Sequence, residues 1–342
     1  MDKQQLLVSV IILNWNGEHF LKDCLDSLFE NTYKNIEVLF VDNASTDGSV
    51  SFVKKYYPSI QIIQNRENLG YAEGHEEAIH RSKGSLVMLL STDTIMSSRV
   101  TETLVHAINR KKTIGVVMPK LLIMKPGKKL IDSIGAYILP TGMTYHIGRE
   151  KNADDPRYNK PMEVYTIKGA CALFRRSVLN KTGLFDKDYF AYFEETDLCH
   201  RIWLAGYRVM YDPSSYVYHK GAGASGEMVR SFIQFHSFKN RICTFIKNFS
   251  MKYLIRILPV TLIFYQGVFL YHLFVGDRSV AWAVQRAIWW NIVHIRQTLN
   301  KRQRIQAAIR TVSDDLFWEN ITRPVRLSYY YFMIKGLAHY TD

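Results

Sequence analysis

Cysteine is scarce in this chain: four residues in 342, at positions 24, 171, 199 and 243, with no C-x-x-C pair among them. That spacing argues against a disulfide framework and a cysteine zinc site, and it fits a reducing, cytoplasmic setting. The opening stretch MDKQQLLVSVIILNWNG has no basic leader and no small-residue cleavage site, so its apolar run is expected to form a strand, not a signal peptide. The sequence has no internal repeat, no low-complexity segment and no G-x-x-x-x-G-K-[ST] phosphate loop. Acidic residues are missing between Glu227 and Asp277. That gap disqualifies the G-x-G-x-x-G match at 221–226, because a dinucleotide site needs an acid about 20 positions further on for the ribose.

Hydrophobic residues make up 47% of the chain and charged residues 22%, enough for a sizeable core and against wholesale disorder. The net charge of +13 is unevenly placed: residues 226–342 hold 16 Lys/Arg against 6 Asp/Glu. This basic third predicts an anionic partner. Its basic residues flank long apolar and aromatic runs, which favours a membrane surface over nucleic acid. Segment 257–275, ILPVTLIFYQGVFLYHLFV, is nearly long enough to span a bilayer, for which roughly 20 apolar residues are needed. It contains Pro259, Gln266, Gly267 and His272, so two readings stand: a span, or a buried or interfacial hairpin broken near Pro259 or Gly267.

Apolar runs with β-branched residues predict strands at 8–13, 36–41, 60–64, 86–90 and 114–118, and amphipathic spacing predicts helices at 20–29, 49–56, 73–81 and 99–109. The alternation implies an α/β fold with a mostly parallel sheet covered by helices. Clusters of Lys, Gly, Pro and Asp make 120–165 an irregular excursion. Regular pattern returns at 164–175, 178–183, 196–205 and 208–218.

Four constellations carry chemistry. Asp42 ends a strand in VDNASTDGS, where ligands of open α/β sheets sit; its carboxylate could accept from a nucleobase imide or a ribose hydroxyl. Asp93 ends another in LLSTDTIM. A carboxylate there needs a divalent cation between itself and a diphosphate, and Mg2+ or Mn2+ share hard oxygen ligands with phosphate. In YFEETDLCHR, Glu194, Glu195 and Asp197 crowd a helix start, which raises one another's pKa and suits a general base. His219 ends a strand before a glycine-rich loop and could ligate a metal.

Together these motifs resemble the inverting family 2 glycosyltransferases of GT-A fold, especially the rhamnosyltransferase-like branch. The resemblance covers roughly residues 7–225, with VSVIILNWN, VDNASTDGS, ENLGYAEG, STDT and GLFD…YFEETDLCHR…AGY…H in the family's order. It implies that Asn14, Asn16 and Asp42 hold base and ribose, that Asn68, Gly70 and Tyr71 line the nucleotide pocket, and that Gly169 and Ala170 approach the sugar or diphosphate. It further implies that Asp93, the surviving acid of a D-x-D motif whose first position is Ser91, binds Mn2+ or Mg2+ with His219. Glu194 or Glu195 would be the base, and Asp197 would orient the loop or bind acceptor hydroxyls. The expected organisation is a GT-A catalytic domain over 1–225, divided into nucleotide-sugar and acceptor halves at 118/119, and a helical, membrane-associating region over 226–342 that could also mediate homo-oligomers. The expected reaction moves a sugar from dTDP-rhamnose or a UDP-sugar to a glycan or lipid-linked acceptor at the cytoplasmic membrane face. A non-catalytic nucleotide-sugar-binding subunit is the alternative, prompted by Ser91 and the Glu-Glu pair.

Overall fold

A computed structural model describes residues 5–125, 127–221 and 229–330. The chain begins with β1 (Val8–Asn14), α1 (Glu18–Phe29), β2 (Ile36–Asp42), α2 (Ser49–Tyr56), β3 (Gln61–Gln64), α3 (Gly70–Gly74), α4 (Glu76–Arg81) and β4 (Leu86–Ser91). β1 lies between β2 and β4, parallel to both, and its VSVIILN run is almost wholly buried, as a strand covered on both faces must be. Register decides what reaches the sheet edge. Asn14 pairs with Asp42, and Leu13 with Ser91, so the polar ends of three strands lie side by side. The single helix expected over 73–81 is two short ones, meeting at His75.

The second half contains β5 (Thr94–Met96), α5 (Val100–Asn109), β6 (Ile114–Ile123), β7 (Ile131–Ser133), β8 (Ala136–Ile138), β9 (Thr144–His146), β10 (Met162–Glu163), β11 (Cys171–Arg175), α6 (Arg176–Thr182), α7 (Glu194–Leu204) and β12 (Arg208–His219). Ten strands form one sheet, with its main path β10-β12-β6-β11-β4-β1-β2-β3, β5 on β12 and β7 on β6. The sheet is mixed and not parallel throughout: β11 runs antiparallel to both β4 and β6. The chain leaves at the carboxyl end of β6, makes the β7–β10 excursion and returns at that same end. Without a helical crossover the returning strand must run backwards. β12 pairs parallel with β6 and antiparallel with β5, aligning His219 with both Ile123 and Thr94. His219 therefore arrives next to Asp93.

The C-terminal third is helical, as its composition predicts: α8 (Arg230–Asn248), α9 (Met251–Phe274), α10 (Arg278–Val293), α11 (Ile295–Arg304) and α12 (Trp318–Ile321). α8 is no appendage. From Phe238 to Asn248 it is continuously buried, and it packs on α7. α9 has a mean hydropathy of 1.6 in its most apolar window, only 22% of which is buried. It runs unbroken through Pro259 and Gly267, without the break that one of the two readings placed there. α10 folds back along it, with Gln285 donating to Gln266 at 2.8 Å and Trp282 against Phe269. The 221–226 glycine match extends beyond the described residues.

Candidate active site

A cavity of about 640 Å³ opens at the carboxyl edge of the sheet, lined by strand-end residues, by 168–170, by 190–195 and by 219–221. It gathers Asn68, Gly70, Tyr71, Asp93, Gly169, Ala170, Glu194, Glu195 and His219 from the sequence-derived candidates. Four others are not on its walls.

Asn14, Asn16 and Asp42 are engaged with one another's loop. Asn14 donates to Asp42 Oδ1 at 3.2 Å and to Ser45 Oγ at 3.0 Å, while Asp42 Oδ2 accepts the Ser45 N–H at 3.1 Å. Asn16, held at a φ of 51°, donates its own N–H to Ser45 Oγ and accepts that of Thr46. These three brace the ends of β1 and β2, and their neighbours Leu13, Trp15 and Asn43 form the wall instead. Asp197, fully buried, faces away from the cavity. Arg201, four residues on, donates to its Oδ2 through Nε at 3.0 Å and Nη2 at 2.9 Å. Lys247 and Asn248 of α8 meet its Oδ1, both at 3.0 Å. Burial opposes ionisation of Asp197, but Lys247 and Arg201 outweigh it and hold the carboxyl below its usual range. Its surroundings make it a structural anchor, not an acceptor-binding group.

One side of the cavity is built around His219. Its Nε2 lies 3.4 Å from Asp93 Oδ2, and its Nδ1 lies 2.8 Å from Asp132 Oδ2. Asp132 also takes Lys168 Nζ at 2.6 Å and Arg149 Nη1 at 3.2 Å. Burial raises the pKa of Asp132, yet the His219 hydrogen bond and the Lys168 charge prevail and keep it well below the carboxylate norm. Asp132, Arg149 and Lys168 all line the cavity, and sequence reasoning named none of them as a ligand or catalytic group. A carboxylate on Nδ1 favours the tautomer with its proton there, and a cation between Nε2 and Asp93 would then meet the Nε2 lone pair. Two ligands at right angles on one Mg2+ or Mn2+, each about 2.1 Å away, stand about 3 Å apart. The Asp93–His219 pair thus fits a divalent cation by chemistry and spacing. Among the described residues no cluster of three or more His, Cys, Asp or Glu side chains forms a closed metal cage, so the remaining ligands would be phosphate oxygens and water.

A second part of the cavity is built around two glutamates at the start of α7. Tyr192 and Phe193, just before it, both have positive φ, 69° and 73°. Non-glycine residues seldom adopt this conformation, and it concentrates at functional sites. The turn aims Glu194 and Glu195 into the cavity. Glu195 Oε1 accepts the Gly169 N–H at 2.9 Å, and the Gly169 carbonyl accepts Tyr71 Oη–H at 2.9 Å. A Cβ on Gly169 would lie 2.4 Å from Tyr71 Oη and 2.7 Å from Glu195 Oε1, so any larger residue would have to push these two side chains aside. Gly70 is equally constrained, with φ +71° and the Phe190 carbonyl oxygen 2.1 Å from a notional Cβ. Glu194 is buried and its Oε2 has no hydrogen-bond partner. Burial, and then the charge of Glu195, push its pKa well above the ordinary value. Glu195 is half-buried. Its pKa is raised by burial too, but backbone N–H groups, Gly169's among them, favour its anion. Both carboxyls are thus held above the ordinary range, Glu194 further than Glu195, so a negative charge on the pair is placed more easily on Glu195.

The chain has known relatives. The model of the family described as "Glycosyl transferase family 2" matches residues 9–183. The chain belongs to that family. Over 255 residues it is 27% identical to the N-acetylglucosaminyl-diphospho-decaprenol L-rhamnosyltransferase of Mycobacterium tuberculosis, covering 67% of this chain and 81% of that protein. Over 226 residues it is 22% identical to the glycosyltransferase GlyG of Streptococcus pneumoniae, covering 64% and 72%. Among solved structures, it aligns with the mannosyltransferase PcManGT of Pyrobaculum calidifontis in complex with GDP-Man and Mn2+ at a TM-score of 0.53 and 18% identity, over 85% and 88% of the two chains. GalNAc-T7 with UDP, GalNAc and Mn2+ aligns at 0.58 and 17% identity, over 74% of this chain and 49% of that one. The fold is GT-A, and this family 2 glycosyltransferase is an enzyme of glycosyl transfer in glycan biosynthesis.

Proposed function

We propose that this glycosyltransferase is metal-dependent and inverting, moving a sugar from a nucleoside-diphosphate donor, dTDP-rhamnose or a UDP-sugar, to a hydroxyl of a glycan or lipid-linked acceptor. The observation that carries the reading is that one cavity holds Asp93 with His219 and also Glu194 with Glu195. A divalent cation bound by Asp93 and His219 would neutralise the charge that develops on the departing diphosphate. Asn68, Gly70 and Tyr71 shape the donor pocket, and Gly169 and Ala170 let the sugar approach the backbone closely. Glu195, anionic and anchored by Gly169, takes the proton of the acceptor hydroxyl. The acceptor oxygen forms its bond to the anomeric carbon as the bond to the diphosphate oxygen breaks, the diphosphate leaving with the electron pair. A single displacement inverts the anomeric configuration.

The same reading assigns the acceptor side to a membrane surface. Phe274, Trp282 and Trp289 are 92%, 58% and 64% exposed, beside exposed Ile263, Leu270 and Ile292. Contiguous exposed apolar surface of this kind marks an interaction site. Arg256, Arg278 and Arg286 are exposed on the same two helices, as a helix pair lying on anionic lipid would require. α9 rests its other face on the catalytic domain, with Thr261 Oγ1 donating to the Thr141 carbonyl at 2.9 Å. A helix whose buried residues, Tyr253, Leu254, Ile257, Thr261 and Tyr265, sit in its first fifteen positions supports a monotopic hairpin at the cytoplasmic face over a span.

The test is release of nucleoside diphosphate from a panel of nucleotide sugars, with and without Mn2+. Turnover that needs Mn2+ and is lost in Asp93→Ala is expected; equal turnover in EDTA, or in Asp93→Ala, overturns the metal-dependent mechanism.

A further inference from the structure

The metal-facing histidine is held by a carboxylate that no motif in the sequence announces. Asp132 is the central residue of β7, which pairs with β6 through Leu121↔Ser133 and Leu122↔Ile131. β6 in turn pairs with β12 through Ile123↔His219. Two successive strand registers therefore fix how far Asp132 stands from His219. The carboxylate is buried, 5% exposed, and its Oδ2 lies 2.8 Å from Nδ1, on the side of the ring away from Asp93.

Resting on the functional reading above, we propose that Asp132 is the positioning residue of this site: it accepts the Nδ1–H of His219 and thereby fixes the tautomer and ring orientation that present Nε2, beside Asp93, to a divalent cation carried by the donor diphosphate. An imidazole can ligate through either nitrogen, and its ring flips unless something holds it. A carboxylate on the far nitrogen prevents both and makes the ligating nitrogen more basic. The need is acute here. The position two before Asp93 is Ser91, so this stretch supplies one carboxylate, and the imidazole is a large share of the protein's contribution.

Asp132 has a competing duty. Lys168 Nζ sits 2.6 Å from the same Oδ2, and Arg149 lies on Oδ1, so the carboxylate could serve only to neutralise these two cations. The two roles separate in a double-mutant cycle. The probe is Mn2+ with UDP or dTDP, its binding read by the Mn2+ electron paramagnetic resonance signal and independently by calorimetry, with melting temperature reporting the fold. Asp132→Ala is expected to weaken Mn2+ binding roughly 10–100-fold, the range seen when such outer partners of metal ligands are removed. Asp132→Asn, which keeps an acceptor oxygen, should recover part of the loss. Against a His219→Gln background, Asp132→Ala should weaken binding no further. Adding Lys168→Met to Asp132→Ala should restore nothing. Mn2+ binding unchanged in folded Asp132→Ala overturns the proposal, and so does a loss that adds fully to that of His219→Gln or is repaired by Lys168→Met. If the alanine variant does not fold, Asp132→Asn in the same cycle decides by the same criteria. Wild-type protein that binds no Mn2+ beside any nucleoside diphosphate overturns the metal reading itself, a result distinct from all of these.

Discussion

Asn240 of α8 donates its side-chain amide to the Tyr192 carbonyl at 2.6 Å, and also to that of Ala191 at 3.0 Å. These are the carbonyls of the strained turn that aims the two glutamates. Around it, Lys239 donates to the Asp188 carbonyl at 2.5 Å and Tyr189 Oη–H to that of Asn240 at 3.0 Å. A backbone held at positive φ persists only where its surroundings over-determine it. Asn240→Ala removes the amide and leaves two carbonyls short of a partner, at a cost of about 1–3 kcal/mol. Turnover is expected to fall further than donor binding, since Asp93 and His219 stand on β-strand ends that the turn does not carry. Steady-state kinetics beside a nucleotide titration checks this; a donor affinity that falls as far as kcat contradicts it.

The glutamate pair should divide by role. Glu195→Gln is expected to reduce transfer by about 10²–10⁴-fold, the usual worth of a positioned base, while nucleotide binding survives. Glu194→Gln should retain far more activity. Its signature is in stability: an acid whose folded pKa is raised above its unfolded value begins to lose its contribution to the fold once pH exceeds the unfolded value, and loses it fully above the folded one. Wild-type stability relative to Glu194→Gln should therefore decline as pH rises above about 4.5, the ordinary value for this group. Denaturant midpoints of both proteins from pH 4 to 8 show whether that slope exists.

Asp197 should behave as a foundation, not a reagent. Asp197→Asn leaves Lys247 and Arg201 short of a buried counter-charge, and breaking such pairs costs about 3–5 kcal/mol. With its folded pKa lowered, the carboxylate stabilises above the unfolded value and loses that effect as pH falls through the carboxylate range. The variant should melt early at pH 7 and differ less from wild type near pH 3. The folded fraction should keep its turnover, as a melting series and activity normalised to folded protein can establish.

Membrane engagement is best tested without truncation, because removing residues 230–342 would also remove α8 and undo the glutamate turn. Trp282→Ser with Trp289→Ser should lower binding to anionic vesicles and leave nucleotide binding untouched. Vesicle co-sedimentation at two salt concentrations measures both the aromatic and the charged contributions; equal sedimentation of variant and wild type counts against the proposed surface.

The strands β1, β2 and β4 were legible because a doubly covered strand must be an unbroken apolar run. β6 was read only as far as Met118, since Pro119 and Lys120 look like a strand end. Tertiary structure overrides that signal: Lys120 is buried, with Nζ donating to the Ala153 carbonyl at 2.8 Å and to Asn159. Asp93, His219, Glu194 and Glu195 were legible because each stands at the end of a recognisable element. Asp132 was not, being a single acid in an irregular stretch that reaches His219 only through two strand registers. Asp197 was grouped with the glutamates by proximity in sequence. The i,i+4 partner Arg201 was the available sign that its carboxylate was already engaged.

The grip of α8 and α11 on the glutamate loop bears on how such an enzyme can be recombined. Lys301 of α11 holds Asp186 and Asp188, and Lys247 holds Asp186. A chimera that joins residues 1–225 to another tail would keep the acids, but would keep their lysines and amide only if that tail carries them. The exchangeable unit is instead the loop together with its helices, which should travel as one heritable block.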